Sequence, residues 1–136
     1  MNIQLALKEA KNARHHQHKL GAVLFKSGKP IASSHNFDHV HAEHAVLNQA
    51  WRSDIAGTTL LVIRVRKNGT LGMSRPCHLC MLRIIQAGVK RVIFSNQAGN
   101  LESIKIAPQE NSSVYLEYHF ISKNTRQNNK ELYKNA

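Results

Sequence analysis

Apolar and polar positions alternate along this chain with periods that change several times, and each change marks an element. Ile3, Leu5, Leu7 and Ala10 are set against Lys8, Lys11 and Arg14, the pattern of an amphipathic helix over about Asn2–Arg14 that lies on a sheet. Leu20 to Phe25 and Pro30 to Ser34 are short apolar runs separated by Lys26-Ser27-Gly28-Lys29, which predicts an antiparallel hairpin. His41 to Trp51 returns to a helical period, with Ala42, Ala45, Val46, Ala50 and Trp51 as its apolar stripe. Thr58 to Val65 is β-branched and leucine-rich, a buried strand, and its basic end Arg64-Val65-Arg66-Lys67 runs into the sharp turn Asn68-Gly69. Cys77 to Gly88 reads as a third helix stopped by Gly88, and Lys90 to Ser95 as a further strand.

A strand, a crossover helix and another strand predict a right-handed parallel unit. Asn96 to Asn100 is then a loop of turn formers before the extended run Leu101 to Ile106, so the fifth strand is expected to be antiparallel to the fourth. Pro108 to Ser113 reads as a loop. Val114 to Ile121 is apolar enough to dock on the body as strand or short helix, and from Lys123 the chain reads as a polar tail, residues 123–136.

The chain has 136 residues and a formal charge of +11, from 19 basic and 8 acidic side chains. That length predicts one domain over residues 1–136, and that charge predicts anionic partners, either nucleotide phosphate or nucleic acid. The only two cysteines sit in one Cys-x-x-Cys, which leaves nothing for a disulfide framework. With no signal-like stretch and no membrane-length apolar run, the expected place is the cytoplasm.

Chemistry concentrates in His41-Ala42-Glu43 and Pro76-Cys77-His78-Leu79-Cys80. One imidazole and two thiols form a ligand set that leaves a fourth tetrahedral position on zinc open to water. His41 and Glu43 are two residues apart at a helix start, so one can hold the metal while the other faces what the metal binds. Pro76 suits helix entry, and the amides and dipole at that end favour thiolates at Cys77 and Cys80. Two other readings use the same residues. A redox Cys-x-x-Cys leaves His41 and Glu43 idle, and a non-catalytic zinc module normally closes its site with four protein ligands.

Several neighbours of these motifs also invite a role. His15, His16 and His18 cluster without a second ligand group and read as a polar loop. Phe37 is a candidate to stack on a base or to wall a pocket. His44 lies three residues from His41 and fits a surface or supporting place better than a ligand's. Arg75, directly before Pro76, is expected at the pocket mouth as a phosphate contact.

His-x-Glu followed by Pro-Cys-x-x-Cys resembles the zinc-dependent cytidine and deoxycytidylate deaminase superfamily. The upstream runs Leu20 to Phe25, Gly28 to Ile31 and Ser34-His35-Asn36 look like that family's first two strands and its asparagine, so the resemblance covers roughly Lys19 to Ile106. It implies a three-layer α/β/α fold with a mixed five-stranded sheet, Zn2+ held by His41, Cys77 and Cys80, and Glu43 as the catalytic acid and base. It further implies that Asn36 meets the sugar and that the backbone amide of Ala42 holds the pyrimidine carbonyl. The implied reaction converts a cytosine nucleoside or nucleotide to its uracil product with release of ammonia; the alternative is cytosine or adenine within single-stranded DNA or RNA. An antiparallel fifth strand is the arrangement of the free-nucleoside enzymes, and relatives of this size are usually homo-oligomers with pockets completed by neighbours.

Overall fold

The computed structural model describes residues 2–14 and 18–107, together with the backbone of 120–123. Helices α1 (Gln4–Asn12), α2 (Ala42–Gln49), α3 (Arg52–Ile55) and α4 (His78–Ala87) flank strands β1 (Lys19–Lys26), β2 (Lys29–His35), β3 (Thr59–Val65), β4 (Leu71–Gly72), β5 (Arg91–Ser95), β6 (Leu101–Ile106) and β7 (Phe120–Lys123). The strand order is β2-β1-β3-β5-β6-β7, with β4 paired to β3.

Parity along the central strands builds three layers. Val23, Phe25, Leu61, Ile63 and Ile93 point to one face and pack with Ala6 of α1. Ala22, Leu24, Leu60, Val62, Val92 and Phe94 point to the other and pack with Ala42 and Val46 of α2 and Met81, Ile84 and Ile85 of α4. Strands buried on both faces read as continuous apolar runs, which is why β1, β3 and β5 stand out in the sequence. Among the described residues only β3 and β5 run parallel, from Thr59↔Arg91 to Val62↔Phe94. β6 is antiparallel to β5, as the Asn96–Asn100 loop predicts, with Ser95 opposite Leu101. The loop closes on itself through Asn96 N–H to Asn100 O at 2.8 Å and Asn100 N–H to Asn96 Oδ1 at 2.9 Å.

Gly21 sets how closely α1 lies on this sheet. A Cβ there would stand 2.1 Å from the carbonyl oxygen of Ala6 and 2.8 Å from the amide nitrogen of Ala10. The helix backbone therefore rests on the strand backbone, with no room for a side chain between them. Gly88 ends α4 as expected, in the left-handed region at φ 94°, donating its N–H to Ile84 and Ile85.

Three expectations change. The helix expected to run through Trp51 ends at Gln49, because Ala50 turns extended (φ −81°, ψ 152°). Trp51 then caps α3 and is 80% exposed, while Ile55 supplies the buried apolar group. The five expected strands are present and two short ones join them, β4 against β3 and β7 against β6. Lys123, expected to open the tail, closes β7 opposite Ser103; residues 108–119 and 124–136 lie outside the described residues. No helix among the described residues is long and apolar enough to cross a membrane.

Candidate metal centre

Two helix N-termini meet at the edge of the core. His41 is the N-cap of α2, and its carbonyl accepts the Ala45 N–H at 3.0 Å while its ring makes no capping bond. The ring turns to the cysteines, with Nδ1 3.3 Å from Cys80 Sγ and 3.9 Å from Cys77 Sγ. Cys77 is the N-cap of α4, and its sulfur accepts the Cys80 N–H at 3.5 Å. All three candidate ligand atoms lie within 4.8 Å of one another. A tetrahedral zinc ion with ordinary Zn–N and Zn–S bonds separates such N and S atoms by about 3.6 Å. The two observed N···S distances bracket that value, so the donors fit zinc in kind and in spacing.

The electrostatics fit as well. Burial pushes the Cys80 thiol up to about 12, with the Glu43 carboxylate and the Cys77 sulfur acting in the same direction. A divalent cation between these groups offsets all three effects. Cys80 is buried, whereas His41 and Cys77 are exposed, so the cluster is open on one side. Both cysteines are free thiols.

That open side faces a cavity of about 480 Å³. His41, Ala42, Glu43 and Cys77 contribute to its wall together with Asn36 and Arg75, so every site residue expected from the sequence lines it except Cys80, which backs the cluster. Glu43 is only 4% exposed, and burial raises its carboxyl above the usual range against a backbone hydrogen bond and the nearby His41. Asn36 spends one donor and one acceptor on the start of β1: Oδ1 accepts the Leu20 N–H at 2.9 Å and Nδ2 donates to the His18 carbonyl at 2.7 Å. Arg75 is exposed, with its guanidinium 5.7 Å from the centre of the Phe94 ring.

Other residues of the cavity were not singled out by the sequence. Arg64 lines it because it shares the strand parity of Leu60 and Val62, a signal legible in β3. His18, an exposed loop residue as expected, lines it too and is not part of the candidate ligand group; His15 and His16 lie outside the described residues. Ser74 and Ser95 form a buried bracket behind Arg75. Ser74 Oγ donates to Val62 O at 2.7 Å and meets Ser95 Oγ at 2.8 Å, while Ser95 Oγ donates to Gly72 O at 2.6 Å. This bracket fastens the segment leading into Pro76 and Cys77 to the sheet. Phe37 is not among the lining residues; it is 49% exposed and meets His35 edge to face, ring centres 6.4 Å apart.

A mixed sheet carrying a His/Cys/Cys donor set with a buried carboxylate beside it fits a zinc-binding protein with room for a small molecule. The family model for the cytidine and deoxycytidylate deaminase zinc-binding region matches residues 2–96, and the chain belongs to this family. No curated protein matches it. Among solved structures it is similar to the apo dCMP deaminase of cyanophage S-TIM5, at 26% identity over 69% of this chain and 82% of that one, with a TM-score of 0.49. It is also similar to the diaminohydroxyphosphoribosylaminopyrimidine deaminase/5-amino-6-(5-phosphoribosylamino)uracil reductase of Thermotoga maritima, at 26% identity over 70% of this chain with a TM-score of 0.54. A third, RibD of Acinetobacter baumannii, is 24% identical over 69% of this chain with a TM-score of 0.53. The match spans only 28% and 27% of those last two proteins.

Proposed function

We propose that the chain is a hydrolytic deaminase that converts a cytosine nucleoside or nucleotide and water to the uracil product and ammonia. The observation that carries this reading is a buried carboxylate, Glu43, on the wall of the same cavity as the His41 and Cys77 ligand atoms. Zinc, when held by His41, Cys77 and Cys80, supplies a water that ionises near neutral pH. Glu43 would take a proton from that water and deliver it to the ring nitrogen, then take the second from the hydroxyl newly added to the ring carbon and pass it to the exocyclic nitrogen, which leaves as ammonia while the carbonyl forms. Burial suits the carboxylate to this double duty, because it makes the protonated form accessible. The Ala42 amide faces the pyrimidine carbonyl in this reading, Asn36 the sugar, and Arg75 a phosphate at the mouth.

Antiparallel β6 favours a small substrate over a polynucleotide. The Thermotoga structure supports a second reading, a phosphoribosylated aminopyrimidine, since that protein is named as a deaminase of one. Ammonia release separates these when purified protein is offered cytosine, cytidine, deoxycytidine, their monophosphates, a phosphoribosylated aminopyrimidine, single-stranded DNA and tRNA at two salt concentrations. Turnover of a cytosine nucleoside or nucleotide with weak salt dependence is expected. Turnover confined to a polynucleotide and falling steeply with salt overturns it.

A further inference from the structure

One helical turn behind each half of the metal centre lies a second contact between the same helices. His44 follows His41 by three positions on α2, and Arg83 follows Cys80 by three on α4, so each shares a helix face with a ligand. The Arg83 guanidinium lies against the His44 imidazole, with Nη1 on Nδ1 and 3.1 Å from Nε2. Both residues, with His41, Cys77 and Cys80, line a cavity of about 300 Å³ in which, among the described residues, no acidic side chain takes part. A guanidinium only donates and a neutral imidazole offers one acceptor, so this is a donor–acceptor pair while His44 carries a single ring proton. Partial desolvation, then the Arg83 charge and His41, lower the His44 imidazole from its usual range, in the direction that favours the accepting form.

The first turn of α2 has need of such a tie. Its N-cap is a ligand, His41, whose side chain makes no capping bond to the helix. An uncapped first turn frays, and fraying here would carry the imidazole away from the two sulfurs.

We infer that His44 and Arg83 are positioning residues for the metal, a cross-helix clasp that keeps His41 and the cysteine pair at binding distance before any ion arrives. The inference rests on the zinc-ligand reading of His41, Cys77 and Cys80. It is separate from which substrate the cavity takes.

The test is zinc affinity, read by competition with a chromophoric chelator for the full chain and for Arg83→Ala, His44→Ala, the double variant and His44→Gln, whose amide oxygen also accepts from a guanidinium. Each single alanine variant is expected to lose about tenfold or more in affinity, the scale for residues that support metal ligands. The double variant is expected to lose no more than either single one, and His44→Gln to recover most of the loss. Amide hydrogen exchange in the first turn of α2, measured without metal, is expected to quicken in both alanine variants. Unchanged affinity in folded single variants, or losses that add in the double variant, would overturn the clasp alone. A wild-type chain that holds no zinc would overturn the ligand reading itself, and the clasp with it.

Discussion

The sulfur of Cys80 stands 3.3 Å from Nδ1 of His41 across 39 residues of chain. Neither residue reaches the other through its own helix; the separation is fixed by two helices packed on the same face of one sheet. A ligand lost from such a set removes both the ion and the cross-link it makes. Cys80→Ser is expected to fall well below one zinc per chain by metal analysis and to forfeit the stabilisation that zinc gives the wild type. That stabilisation is about 2.7 kcal/mol when free zinc exceeds Kd a hundredfold. Thermal melts with and without chelator measure it. Chelator should lower the wild-type midpoint and leave the variant's unmoved.

Glu43 is beside the centre without belonging to the ligand set. Glu43→Gln keeps the shape of the side chain and removes its capacity to carry a proton. Zinc content should stay at the wild-type level while ammonia release drops by about 10²–10⁴-fold or more, the scale of a lost general acid–base. Equal activity in the variant would remove the role given to this carboxylate.

The Ser74–Ser95 bracket makes a prediction away from the chemistry. Ser95→Ala takes the hydroxyl donor from the buried Gly72 carbonyl, while Ser74 Oγ keeps Val62 O and the Ser95 N–H. Leaving such a group unpaired costs about 1–3 kcal/mol, measured by denaturant unfolding. The segment the bracket fastens carries Arg75 into the cavity wall, so kcat/KM should fall as well, with zinc content unchanged.

Gly21→Ala tests the seat of α1. The added methyl would meet the Ala6 carbonyl oxygen at 2.1 Å, and backbone on both sides leaves nothing soft to give way. A loss of about 1–3 kcal/mol is expected from overpacking of this kind, or more if the helix lifts away.

The metal centre was legible in the sequence because few residue types can ligate zinc, and their spacing matched helix entry at both His41 and Cys77. The central strands were legible because burial on both faces leaves unbroken apolar runs such as Leu60 to Ile63. Trp51 was misread for the converse reason: periodicity marks it as apolar, but whether α2 continues past Gln49 depends on Ile55 filling the core instead. β4 is two residues long and carries no period at all, so the burial of Ser74 and Ser95 behind it had no signature. The same holds for His44 and Arg83, polar residues on separate helices whose meeting is a product of packing. Arg64 is the residue a closer parity argument would have found.

The parallel alignment of β3 and β5 has a consequence for how the protein acquires its ion. Both sulfurs belong to the connection that joins those two strands, while the imidazole comes from a helix laid down before either. Zinc thus meets its full coordination shell only after that parallel pairing, 32 residues apart in sequence from Thr59↔Arg91 to Val62↔Phe94, has closed, and uptake of the ion should lag behind the sequestration of Phe94 in refolding. Occupancy then serves as a report that the tertiary structure is complete.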